Sequence, residues 1–152
     1  SYPALIGLFL TYAAITGVSL SFIFFAYQLG SIINVFLSSV ALFAIMAIAG
    51  YTTKTDLTKL GSLLMIGLFG IIIASVINIF MKSDSMSFIC SILGVIIFTG
   101  LTAWDVQKIK NMAAEDDGST TFKKMSIMGA LTLYLDFINI FLYLLRLFGK
   151  RN

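Results

Sequence analysis

The chain has 152 residues, of which 59% are hydrophobic and 11% charged, and a formal net charge of +3. Soluble domains run at about 45–50% apolar and about 25% charged, so this composition excludes an ordinary soluble domain and indicates a single integral membrane domain over residues 1–152. The scattered Lys and Arg argue against nucleic acid as a partner, and one cysteine with no histidine excludes an intrachain disulfide and a Cys/His zinc cluster.

No signal peptide is visible, because the first apolar run lacks a basic leader and has the length of a full span. The opening on Ser1 and Tyr2 rather than Met fits a trimmed or partial chain. A bilayer core of about 30 Å takes about 20 helical residues. Cutting at the polar interruptions predicts five spans, at about 4–26, 31–50, 60–81, 86–106 and 125–148. Tyr27 to Gly30, YTTKTDLTK, KSDS and KIKNMAAEDDGSTTFKK separate them. Continuous apolar runs without two-residue alternation exclude a barrel, so the predicted fold is an all-α, polytopic transmembrane helix bundle. Small residues recur at three- and four-residue spacing, such as Gly7, Thr11 and Ala14, or Gly67, Gly70 and Ala74, and predict close helix packing. Cys90 is expected to pack inside a helix, and Asp116, Asp117 and Gly118 are expected in a solvated loop.

With five sequential spans the loops alternate sides. One side carries Lys54, Lys59, Lys108, Lys110, Lys123 and Lys124; the other carries Lys82, Arg146, Lys150 and Arg151. The excess of basic residues predicts that the first side is cytoplasmic, with the C-terminus across the membrane. A re-entrant last segment would return the C-terminus to the cytoplasm.

Asp105 and Asp136 are the acids that fall in apolar surroundings. A charged residue at the bilayer centre costs roughly 2.5–3.5 kcal/mol on insertion scales, so each needs a partner. Thr132, Asp136, Asn139, Tyr143 and Arg146 share one face of the last span, and Thr102, Asp105 and Lys108 share one face of the span before it. The two stripes are expected to face each other. Two carboxylates in contact at low dielectric cannot both ionise cheaply and can share a proton. Pairing within one helix is the plainer alternative: Asp105 with Lys108 has the right spacing, whereas Asp136 and Arg146 lie about 15 Å apart along the axis. Tyr143 and Arg146 either line a path or anchor the helix at the interface.

YTTKTDLTKLGSLLM, GLTAWDVQKIK and GALTLYLDFINIFLYLLRLFG closely resemble signatures of the Bax inhibitor motif family, in particular its bacterial inner-membrane branch. The resemblance covers essentially the whole chain. It implies a seven-helix bundle with the last helix central, of which the five spans correspond to helices three to seven. It also implies that two N-terminal helices are absent here, together with the glutamate and arginine that latch the aspartate pair. By position in the motifs, Asp105 and Asp136 inherit the role of a pH-sensitive pair controlling a calcium leak. Calcium is then the transported ion, and the pair its ligands, with no resident cofactor; Thr102, Thr132, Asn139, Tyr143 and Arg146 are the residues expected along its path.

The leading expectation is a pH-sensitive calcium leak channel in a bacterial inner membrane. The alternative is a membrane interaction protein that regulates a membrane protease or cell-death and stress factors without conducting. Two intramembrane aspartates also equip an intramembrane aspartyl protease. Those enzymes, however, carry Gly-x-Gly-Asp, and no glycine directly precedes Asp136, so a non-enzyme is expected.

Overall fold

The computed structural model of the chain describes residues 2–115 and 118–152. Asp116 and Asp117 of the expected solvated loop lie outside the described residues. The architecture is all-helical: α1 (Tyr2–Leu20), a short α2 (Ile23–Ala26), α3 (Leu29–Thr52), α4 (Thr58–Met81), α5 (Asp84–Ala113) and α6 (Thr120–Phe148). Five runs are long and apolar enough to cross a membrane, with α1 and α2 forming one of them. Each overlaps one of the five predicted spans and extends beyond it at one end or both. The interruption between α1 and α2 falls at Ser21, whose hydroxyl donates to the Val18 carbonyl at 2.5 Å. A serine bonding back in this way competes with the helical ladder and kinks it.

Side-chain caps start the two longest helices. The Ser83 hydroxyl accepts from the Met86 amide at 3.2 Å at the head of α5, and the Ser119 hydroxyl accepts from the Phe122 amide at 3.0 Å at the head of α6. Both satisfy an orphan N–H of the first turn. At the other end of α4, Lys82 takes a left-handed conformation (φ 53°), and the Ser83 amide donates to the Asn78 side chain at 2.9 Å. That turns the chain directly into α5.

α5 runs to Ala113, past the predicted end at 106. Its polar continuation, VQKIKNMA, keeps a protein-facing side, with Gln107 buried. Asp105 therefore sits about two turns inside the helix.

α5 and α6 form the centre of the bundle: α5 packs on α3, α4 and α6, while α6 packs on α1, α3 and α5. Two glycines set the distances around α5. A Cβ on Gly50 of α3 would strike the Ala103 backbone, and one on Gly61 of α4 would strike the Trp104 indole. Small residues at such crossings let helices approach where no hydrophobic effect drives them together. One core cluster gathers Ile71, Cys90, Ile97, Phe98, Leu101 and Ile140; a second gathers Tyr27, Ile32, Val35, Phe141 and Leu145. Cys90 packs in the first as a small apolar residue. Large apolar side chains such as Phe25, Ile66 and Phe80 face outward, the arrangement a hydrocarbon solvent favours.

The last residues fold back on the corner between α2 and α3. The Gln28 amide donates to the Lys150 carbonyl at 2.8 Å, and the Asn152 amide to the Ala26 carbonyl at 3.0 Å. The Lys150 amide donates to the Ser31 hydroxyl at 2.7 Å. This strap joins the C-terminal end of α6 to the start of α3.

Candidate functional site

Asp105 on α5 and Asp136 on α6 are buried, with 5% and 4% of their surface exposed. Their side chains lie within hydrogen-bonding reach of each other across the α5–α6 interface. With both groups ionised no donor stands between them, and Asp136 Oδ2 is buried without a partner. One shared proton turns the contact into a hydrogen bond, which is the arrangement a low-dielectric site favours.

The site is not electrically isolated. Lys108 Nζ lies 3.1 Å from Asp105 Oδ1, one turn along the same helix. The same ammonium stands 3.7 Å from the centre of the Trp104 ring, a cation–π contact. Trp104 is in turn held against Gly61. Asp105 therefore has both partners considered from the sequence, the lysine within its helix and the aspartate across the interface. Arg146 does not reach Asp136; it is exposed near the C-terminal end of α6, 5.6 Å from the Tyr143 ring.

Asp105 opens onto a cavity of about 350 Å³ between α5 and α6, lined also by Lys108, Met112, Lys124, Met128 and Thr132 among others. Thr132 thus joins the site, its hydroxyl donating to the Met128 carbonyl at 2.9 Å. Thr102 is fully buried one turn before Asp105 and donates to the Phe98 carbonyl at 2.7 Å. Asn139 donates its amide to the Leu135 carbonyl at 2.8 Å. Tyr143 stacks on Phe98, with ring centres 6.0 Å apart, in the space left by Gly94. The predicted stripe of α6 is thus divided: Thr132 and Asp136 belong to the site, Asn139 and Tyr143 bond or pack inside the bundle, and Arg146 stands at the end.

Among the described residues no three His, Cys, Asp or Glu converge. Calcium takes six to eight oxygens, so an ion at the pair would draw on the two carboxylates, on backbone carbonyls and on water from the cavity. Lys108 would have to swing away from Asp105, a movement open to a side chain that is 51% exposed.

Sequence reasoning did not find Gln107. The Leu57 amide donates to Gln107 Oε1 at 2.9 Å, and Gln107 Nε2 donates to the Thr55 carbonyl at 2.7 Å. Lys110 Nζ adds a bond to the Tyr51 carbonyl at 2.7 Å. Together they tie the end of α3 and the α3–α4 loop to the C-terminal part of α5, just beyond Asp105. In sequence Gln107 belongs to a run of polar residues, and only the returning loop identifies its partners. In that loop the Thr58 hydroxyl and amide bond Asp56 at 2.6 and 3.0 Å. They hold its carboxyl below the usual carboxylate range.

Comparison with known proteins places this chain in a family. The chain matches the family described as Inhibitor of apoptosis-promoting Bax1 over residues 1–152. It is 49% identical over 147 residues to the inner membrane protein YbhL of Escherichia coli K12, an alignment covering 95% of this chain and 63% of that protein. It is 54% identical over 146 residues to a protein of Borreliella burgdorferi, again covering 95% and 63%. A membrane protein of Streptococcus pyogenes serotype M3 is 43% identical over 150 residues, covering 99% of this chain and 65% of the relative. The chain thus spans a little under two thirds of the length of these relatives. With five helices fit to cross a bilayer and a whole-length family match, the chain belongs to the Bax inhibitor family and is an integral protein of the bacterial inner membrane.

Proposed function

We propose that the protein is a pH-sensitive leak for cations, calcium foremost, controlled by Asp105 and Asp136. The observation that carries this reading is the burial of two carboxylates from different helices against each other, with Asp105 also lining a cavity. With one proton shared, the pair clamps α5 to α6. Without it two negative charges face each other; at 4 Å and an effective dielectric of about 20, such repulsion is worth about 4 kcal/mol. The pair relieves that repulsion by parting the helices or by taking a cation, and both favour cation entry. Lys108 keeps one of the two acids compensated while the path is closed. Calcium as the cargo rests on the family resemblance, not on the spacing of the acids.

Calcium flux into proteoliposomes, at mildly acidic and mildly alkaline pH, tests the proposal. The parent protein is expected to conduct more on the alkaline side, and the Asp105→Asn, Asp136→Asn double variant to lose that pH response. A double variant with unchanged flux and unchanged pH response would overturn it. A protein that never conducts but cross-links stoichiometrically to a membrane partner would instead support the interaction role.

A further inference from the structure

The outer half of the molecule holds a larger cavity, about 540 Å³, between the start of α3 and the end of α6. Its α3 wall carries Ser31, Asn34 and Ser38, spaced by three and four residues and so on one helical face. A polar face of this kind is costly against hydrocarbon and suits water. Its α6 wall carries Leu144 and Phe148.

On α6, Thr132, Asp136, Ile140, Leu144 and Phe148 follow one another at four-residue intervals, along a single ridge of the helix. Thr132 lines the inner cavity, while Leu144 and Phe148 line the outer one. Between Asp136 and Leu144 on this ridge stands Ile140, with 0% of its surface exposed, packed in the cluster that includes Phe98 and Leu101 of α5. Asp136 and Leu144 are about 12 Å apart along the helix axis, with Ile140 midway. A polar cavity and a carboxylate pair are therefore separated by one apolar layer.

We propose that the outer cavity is the outward vestibule of the cation path and that Ile140, with Phe98 and Leu101, is the apolar barrier closing it off from the aspartate pair. This rests on the leak reading above. A narrow apolar layer excludes water, and a hydrated ion cannot cross where its water is excluded, so the layer gates by dewetting. The charged residue on the vestibule wall is Lys150, exposed at the rim, where salt screens its field over about 10 Å at 0.1 M.

Two substitutions separate a barrier from ordinary packing. Ile140→Thr places a hydroxyl in the layer on a side chain of nearly valine's volume and is expected to raise calcium flux several-fold at both acidic and alkaline pH. Ile140→Val stays apolar, disturbs the core comparably, and is expected to leave flux at the parent level. Equal flux for both variants and the parent would overturn the barrier. The comparison is repeated on the Asp105→Asn, Asp136→Asn background. If that background loses its pH response while Ile140→Thr still behaves as Ile140→Val, the barrier falls and the aspartate reading survives. If Ile140→Thr raises flux while the aspartate changes leave the pH response intact, the barrier stands and the aspartate reading falls. A second readout needs no flux. With Cys90 replaced by Ala, a membrane-impermeant thiol reagent added outside is expected to label Ser38→Cys and to spare Ile140→Cys. Protection of Ser38→Cys, or labelling of Ile140→Cys, would overturn the proposal.

Discussion

Lys108 lies 3.1 Å from Asp105 on its own helix, and Asp105 in turn lies against Asp136 across the interface. One ammonium thus stands beside two carboxylates. With a single shared proton the trio carries no net charge; with none it carries one negative charge. Removing the lysine makes each state more negative by one, so the pair keeps its proton to higher pH.

Lys108→Gln is therefore expected to move the pH response of calcium flux toward alkaline pH, while Lys108→Arg leaves it near the parent. The displacement is a fraction of a pH unit, because the lysine is half exposed and solvent screens it. Flux measured in proteoliposomes across a pH series reads it directly, and an acid-ward movement would contradict the assignment.

Gly61 and Gly70 lie on the same helix and should respond oppositely to one methyl group. At Gly61 a Cβ would strike the Trp104 ring, whereas at Gly70 nothing lies within 4 Å. Gly61→Ala is expected to destabilise the protein by about 1–3 kcal/mol through overpacking. Gly70→Ala should be neutral or stabilising by up to about 1 kcal/mol through helix propensity. Thermal unfolding in detergent compares the two.

Gln107→Leu preserves bulk but strips the Leu57 amide and the Thr55 carbonyl of their partner. Leaving part-buried polar groups unpaired costs about 1–3 kcal/mol. Faster hydrogen exchange or proteolysis in the loop between α3 and α4, with α6 unchanged, is the expected signature.

Asp56 supplies a pH dependence with a definite sign. Its carboxyl is held below the usual 3.8 by the Thr58 hydroxyl and amide. A depressed folded value means that its contribution is present above that pH and lost as pH falls through it. Acid titration of stability should therefore show a small loss below about pH 4 that Asp56→Asn removes. The effect is modest because the group is fully exposed.

Much of the site was legible in the sequence because helical periodicity writes a face into the chain. The spacings of Thr102, Asp105 and Lys108, and of Thr132 and Asp136, marked two polar faces within apolar spans, and the structure brings Asp105 and Asp136 together. Toward the C-terminal end of α6 the same periodicity gave the face and not the bonding. Asn139 sits in the stripe yet donates back into its own helix, and Tyr143 sits in it yet stacks on Phe98. Spacing reports which side of a helix a residue occupies, and says nothing of how its polar atoms are satisfied there. α5 ran beyond its predicted end because hydropathy stops at the membrane surface, while the helix continues for as long as Gln107 and Lys110 have a loop to hold.

By itself the sequence determined five helices long and apolar enough to cross a membrane, and two carboxylates set in apolar surroundings. A hydrocarbon layer about 30 Å thick admits few other ways of satisfying a backbone. Tertiary structure alone decided that Lys108 and Asp136 both meet Asp105, that Gln107 ties the loop to α5, and that a fully buried Ile140 packs with Phe98 and Leu101 between Asp136 and Leu144. These depend on the close approaches at Gly50 and Gly61. A local pattern encodes a face, and only the distance between backbones decides what that face meets.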